Sequence, residues 1–455
     1  MRKAERPARV VSAEEAAALV RSGMWLDYYG SINQPDLFDT ALGARVTELS
    51  DLKVRTSLTM RRRAVVENDP DGSHTHMFSL HMGAYDRKLH DAGRCSYIPL
   101  NLGEGPDYYR RFIDPVDILI MKARPADAAG NFNVGSTNIW FRAIVERARM
   151  VIIETNTSLP HVVGEDTDIH ISEVDYIIEG DNAPIPELPN PPASELDRTV
   201  ARHILGEIED GACLQIGIGG MPNAVCGLLA EAGIRDLGVH TEMMTDGIAE
   251  LCRAGLVTGA RKARDVGKVV YTFAAGSRAL YDLLDRNDAF LCRCVDRTNA
   301  PHIIMQNPRV VAINSTTQVD LSGQAASESD GNRHLTGTGG QAQFVRGAVA
   351  SEGGKSFICL PSTYDKRGER RSRIVMNLTP GNIVTTTRAD MMYVVTEHGI
   401  ANLKGKSVPE RARALIAIAH PDFREGLERQ AHEHRLIPRG FTFGGRGAAR
   451  PSDAG

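Results

Sequence analysis

Asp117-Ile118-Leu119-Ile120-Met121 is followed by an amphipathic stretch over 139–149 and then by Met150-Val151-Ile152-Ile153-Glu154. Each short apolar run has the length and composition of a strand buried on both faces, and the stretch between them carries a helical period. Strand, helix, strand in that order is the repeating unit of a parallel sheet covered by helices. The second half of the chain keeps the same grammar, with strands expected over 213–218, 269–273, 310–314, 356–360 and 392–396. The reading is an α/β fold: two tandem open α/β domains with mostly parallel sheets.

The chain has 455 residues, more than one hydrophobic core usually organises. APIPELPNPP, over 183–192, places five prolines in a stretch that can be neither central strand nor helix. It divides the chain into a first domain over 1–182, a stiff linker over 183–193 and a second domain over 194–440. Helix starts are signalled on both sides. Ser12 and Glu15 form a capping box, with a stop expected at Gly23, and Ser194 and Asp197 repeat the pattern after the linker. The tail over 441–455, FTFGGRGAARPSDAG, is rich in Gly and small residues and is expected to be disordered.

A net charge of -4 gives no general attraction for nucleic acid or anionic membrane, so neither is expected as a partner. The sequence holds no apolar run long enough to span a bilayer, and MRKAERPARVVSAEEAAALV has no apolar h-region, so no signal peptide is expected. Seven cysteines without metal-site spacing fit a reduced, cytoplasmic chain. Cys292 and Cys294 read as ordinary semi-buried thiols. His74, His76, His81 and His90 lack zinc spacing and read as loop and strand residues, so no metal is expected.

The segment richest in chemistry is LQIGIGGMPNAV, 214–225. A strand runs into Gly217, Gly219 and Gly220, and a helix starts near Pro222. Such a loop lets backbone N–H groups approach an anion or an oxyanion, although a plain tight turn would carry the same glycines. A dinucleotide-binding loop would want glycine where Pro222 stands, and its acidic partner at the end of an apolar strand. Glu242, in His240-Thr241-Glu242-Met243-Met244-Thr245-Asp246-Gly247, does not have that placement. Its apolar flank favours burial, which would raise its pKa, and Asp246-Gly247 reads as a turn. A second glycine cluster is Gly337-Thr338-Gly339-Gly340, a further turn holds Lys404 and Lys406, and residues 366–373 form a basic loop.

Taken in order, these segments resemble the acetyl-CoA hydrolase/transferase family of class I CoA-transferases, near the 4-hydroxybutyrate CoA-transferase branch. The matching strings are GIGGMPNAV, GVHTEMMTDG, AINSTTQVDLSGQ, GTGGQAQFVRGA, VVTEHGIANLKGKS and ERARALIAIAHPDFRE, with DILIMKARPADAAGNFNVG and VIIETNTSLPHVVG in the first half. The resemblance implies CoA-transferase domains and an enzyme that moves coenzyme A between an acyl-CoA and a small carboxylic acid, with no cofactor beyond coenzyme A as substrate. It implies Glu242 as the nucleophile and Asn299 as its helper. It assigns Gly219, Gly220, Met221, Pro222 and Asn223 to one coenzyme-binding loop, and Gly337, Gly339 and Gly340 to another. Lys404 and Lys406 are candidates for the coenzyme phosphates. Two departures bear on the polarity of the pocket: His398 stands where an aromatic residue is expected, and Gln343 where Asp is. A homodimer is the assembly the resemblance points to. The acid is left open among acetate, butyrate, 4-hydroxybutyrate, succinate and itaconate. Two other activities stay in view: hydrolysis of acyl-CoA by the same glutamate, and binding of acyl-CoA or nucleotide without turnover.

Overall fold

A computed structural model describes residues 3–114, 116–188 and 191–438, so the tail over 441–455 lies outside the described residues. Apolar runs such as Ile118–Ala123, buried at all six positions, become strands covered on both faces. The first sheet has eight strands, all parallel, in the spatial order Arg9–Val11 (β1), Tyr176–Ile178 (β9), Met150–Thr155 (β7), Ile118–Ala123 (β6), Trp25–Gly30 (β2), Leu52–Ser57 (β3), Thr75–Ser79 (β4) and Cys95–Tyr97 (β5). The second has nine: Gly399–Asn402 (β17), Tyr393–Thr396 (β16), Lys355–Cys359 (β15), Val310–Ser315 (β14), Cys213–Ile216 (β10), Gly238–His240 (β11), Val269–Tyr271 (β12), Phe290–Cys292 (β13) and Val163–Gly164 (β8). Within that sheet only the β16–β17 pair is antiparallel. Two open, mostly parallel α/β sheets are what the sequence predicts.

The halves are more interlocked than a simple tandem. β8 belongs to the first half by sequence, yet Val163 pairs with Leu291 at the edge of the second sheet. Met243, Phe273, Ala275 and Val295 of the second half pack into the apolar cluster around Leu119, Met121 and Trp140 of the first. The proline-rich segment is bound to both sides. Pro184 O accepts from Arg61, Pro186 O accepts from Tyr281 Oη at 3.0 Å, and Leu188 N donates to Gly276 O at 3.1 Å.

Some local expectations change. Ser12 and Glu15 do close a capping box, but the helix they start covers Ala13–Ala17 and does not reach Gly23. Leu19 and Val20 bond back to Ala16 and Ala17 in tightened turns, and Gly23, with φ at 81°, lies in the turn into β2. Asp246-Gly247 is the first turn of the helix Asp246–Arg253, capped by Thr245. The Asp246 carboxylate accepts from Ser277 N at 3.0 Å and Ser277 Oγ at 2.5 Å, which anchors that helix to the next connection. Ser194 and Asp197 start the helix Glu195–Leu205 as read from the sequence.

Candidate active site

β10 lies between β14 and β11, so the connections on its two sides leave in opposite directions. The crevice beyond the carboxyl end of such a strand is where open α/β sheets take ligands. A cavity of about 620 Å³ occupies that place, lined on its other side by the loops that follow β3 and β4 of the first sheet. The second half lines it with Gln215, Ile218, Glu242 and Asn314, and the first half with Met60 and His81, among others.

Glu242 lies at the floor. Its backbone is pinned between strands: Thr241 N donates to Val270 O at 2.9 Å, and Glu242 O accepts from Thr272 N at 3.0 Å and Phe273 N at 3.2 Å. Met243 and Met244 then pair in parallel with Phe273 and Ala274. The side chain reaches Asn299, whose Nδ2 donates to Glu242 Oε2 at 2.5 Å. Asn299 is fully buried and is itself held. Its Oδ1 accepts from Thr298 Oγ1 at 2.9 Å, and Thr298 O accepts from His240 Nε2 at 2.8 Å. Gly340 closes the other side, where a Cβ would collide with both Glu242 Oε2 and Asn299 Nδ2. The half-buried carboxylate lines the cavity. Burial pushes its pKa up to about 7, and the Asn299 hydrogen bond acts in the opposite direction. Such a group combines a large ionised fraction near neutrality with oxygens poorly shielded by water, which suits a nucleophile.

The glycine loop beside Glu242 is fastened by the first half. Thr338 N donates to Tyr97 Oη at 3.0 Å, Leu102 N donates to Gly339 O at 3.0 Å, and Gly103 N donates to Gln343 Oε1 at 2.9 Å. The His81 ring meets Thr336 Oγ1 through Nε2 at 3.1 Å. Burial lowers the His81 pKa to about 4, so the ring is neutral at the pH where Glu242 titrates.

The structure therefore brings together Glu242, Asn299 and Gly340, with Gly337 and Gly339 lining the same cavity. The other glycine loop is placed differently. Gly217 and Ile218 line the cavity, whereas Gly219 caps the helix Gly220–Glu231 at φ 121°. Met221 and Pro222 are buried in its first turn, and Asn223 Nδ2 donates to Pro191 O at 3.1 Å. Lys404 donates to Ala389 O at 2.8 Å, and neither it, nor Lys406, nor the basic loop 366–373 lines the cavity. Gln343 and His398 also lie outside the lining. Among the described residues no group of three His, Cys, Asp or Glu side chains is arranged to hold a metal. His74 bonds Leu49 O at 2.6 Å, His76 bonds Ser96 Oγ at 2.9 Å and His90 bonds Cys95 O at 2.7 Å. Burial pushes the Cys292 thiol up to about 12, well away from a reactive thiolate. Sequence reasoning missed the role of Leu58 to Arg62, His81 and Tyr97. Their signal, loops at the carboxyl ends of parallel strands, exists only once the strand order is known.

The acetyl-CoA hydrolase/transferase N-terminal domain pattern matches residues 1–189, and the C-terminal domain pattern of the same family matches residues 276–431. The chain is 43% identical to butyryl-CoA:acetate CoA-transferase of Anaerostipes caccae over 95% of its own length and 98% of that protein. It is 37% identical to 4-hydroxybutyrate coenzyme A transferase of Clostridium kluyveri over 92% of its length and 96% of that protein. Its structure is similar to that of RipA from Yersinia pestis, with a TM-score of 0.84 at 37% identity, covering 94% of this chain and 98% of that one. Among the described residues no helix is long and apolar enough to cross a membrane.

Proposed function

The chain belongs to the acetyl-CoA hydrolase/transferase family and is an acyl-CoA:carboxylate CoA-transferase; from that premise we propose that it works by a ping-pong mechanism through a thioester between Glu242 and coenzyme A. The observation that supports this reading is the half-buried Glu242 carboxylate, which lines the cavity and accepts a hydrogen bond from the buried Asn299.

In the first step a Glu242 carboxylate oxygen attacks the thioester carbonyl of the acyl-CoA. The carbon–sulfur bond breaks, coenzyme A leaves as a thiolate, and a mixed anhydride remains on Glu242. The thiolate then attacks the glutamyl carbonyl. The carbon–oxygen bond to the acyl group breaks, the first carboxylate departs, and the glutamyl-CoA thioester is left. An incoming carboxylate repeats the steps in reverse and leaves as the new acyl-CoA. Atoms and charge balance without a net proton, so the site needs no general acid. The donor from Asn299 meets negative charge that develops on the glutamyl oxygen as the thiolate adds, a role for which a single donor is worth about 2.7–4 kcal/mol. Gly337, Gly339 and Gly340, together with the loop from Gly217 to Asn223, are assigned to the coenzyme and the acyl group.

The acid is a small carboxylate of the kind that the similar enzymes are named for, acetate, butyrate or 4-hydroxybutyrate, with succinate and itaconate as further candidates. The cavity wall formed by Leu58, Met60, Met243 and Phe273 favours a short apolar chain. A coenzyme bound in the cavity would keep water from Glu242, which favours transfer over hydrolysis.

The test is the intact mass of the acid-quenched protein after incubation with acetyl-CoA, with and without acceptor acids. A gain of coenzyme A less one water, absent in Glu242→Ala and discharged by the substrate acid, is expected. Absence of that adduct from a protein that is turning over would sink the covalent mechanism.

A further inference from the structure

The cations on the cavity wall are one-sided, and the linker adds one carboxylate, Glu187, whose Oε2 accepts from Arg278 N at 3.0 Å. The lining cations Arg61, Arg62 and Lys88 all come from the first half, on the loop after β3 and on the helix Ala84–Asp91. The second half lines the cavity with neutral groups such as Gln215, Asn314, Ser315 and Thr338, apart from Glu242 itself. Arg61 is already committed, since Asp36 accepts from its guanidinium at 2.6 Å and Pro184 O accepts from it as well. Arg62 and Lys88 are not. The Arg62 side chain is 78% exposed and meets Glu67 at 3.4 Å, a solvated pair of little strength. Lys88 is exposed and forms no ion pair among the described residues.

Coenzyme A is an extended molecule with its sulfur at one end and a nucleotide bearing a pyrophosphate and a 3′-phosphate at the other. With the sulfur at Glu242, a polyanion leaving this cavity meets lining cations only on the first-half wall. We propose that Arg62 and Lys88 bind the phosphate groups of the coenzyme's nucleotide, so that the first half holds the tail of the substrate while the second half acts on its head. This inference rests on the coenzyme A reading of the site and extends it to residues that no sequence motif marks. An arginine fork and a lysine point charge are the two usual partners of phosphate oxygens, and both here are free to move toward a ligand.

The experiment compares Arg62→Ala, Lys88→Ala and the double variant with the unaltered protein, using acetyl-CoA and acetyl-pantetheine, which lacks every phosphate. The expected result is a rise in KM for acetyl-CoA of about tenfold per residue at low ionic strength, shrinking as salt is added, with kcat little changed. With acetyl-pantetheine the variants and the unaltered protein should share one KM. Both side chains are exposed, and an unchanged melting temperature is the check on folding. An equal KM rise for acetyl-pantetheine would overturn the proposal, as would an unchanged KM for acetyl-CoA in the double variant. So would a rise confined to the acceptor acid, which would assign the cations to a second carboxylate of a dicarboxylic substrate. Failure of the underlying reading looks different: the unaltered protein would then form no adduct on Glu242 and turn over neither thioester.

Discussion

The Tyr97 hydroxyl accepts from the backbone N–H of Thr338 at 3.0 Å and lies 3.2 Å from the Thr338 hydroxyl, which in turn donates to Glu328 at 3.0 Å. A residue of the first sheet thus fixes the loop that presses Gly340 against Glu242. Tyr97→Phe removes one acceptor and leaves the ring in place. The loss of one such bond is worth about 0.5–1.5 kcal/mol, so kcat is expected to fall roughly 2- to 10-fold. Stopped-flow measurement of adduct formation on Glu242 should show the same loss, with the KM for acyl-CoA nearly unchanged; a fall in melting temperature without a change in that rate would mean that the contact only supports the fold.

Glu242 must be ionised to attack, and burial raises its pKa to about 7. Activity is therefore expected to rise with pH and to level off above the neutral range. Asn299 donates to the ionised form, so its removal raises the pKa further. In Asn299→Ala the acid limb of kcat/KM should move to higher pH, while the plateau falls by about 10²- to 10³-fold. A pH profile of both proteins checks the direction, and a limb that stays in place would remove Asn299 as the carboxylate's partner.

Gly340→Ala places a methyl group where the Glu242 and Asn299 side chains already sit. The backbone there does not require glycine, since φ is -95°. The cost should appear in catalysis through a displaced nucleophile, by about 100-fold or more. Circular dichroism and the turnover rate, measured together, separate this outcome from simple unfolding.

Asp36 bridges Arg61, Arg63 and Lys122, and Lys122 is almost fully buried. The three cations hold its carboxyl below the usual range, against the opposing effect of its own burial. Asp36→Ala leaves a buried ammonium without its counter-charge, a change that costs about 3–5 kcal/mol in comparable sites. Urea denaturation should show that loss. Because the Asp36 pKa is lowered in the fold, its contribution is present above the pKa of the unfolded chain and lost as pH falls through the folded value.

How much of this was legible beforehand depends on the range of the interactions. Met150–Thr155 and Ile118–Ala123 declare themselves as buried strands because their own side chains carry the signal. The capping boxes at Ser12 and Ser194 are equally local. Glu242 is different. Its methionine flank favours burial, but nothing within its neighbourhood in sequence says that it faces Asn299, and resemblance, not periodicity, selected it. Gly219 to Asn223 show the reverse case, in which a motif visible in the sequence continues into a helix, and the preceding Gly217 and Ile218 line the cavity. Arg62, His81 and Tyr97 lie in the first half and carry no motif at all. They reach the second half only through the order in which strands are laid side by side, and short-range pattern does not encode that order.

The short strand Val163–Gly164 adds a last constraint. It leaves the first half to complete the far edge of the second sheet, and Gly164 fits there because a Cβ would run into the Cys292 carbonyl. The molecule is thus laced rather than hinged. Cutting the chain in its proline-rich segment would separate the second sheet from its own border strand, and each fragment would expose an edge that the other normally covers. A swing of one half away from the other would have to unzip that border first.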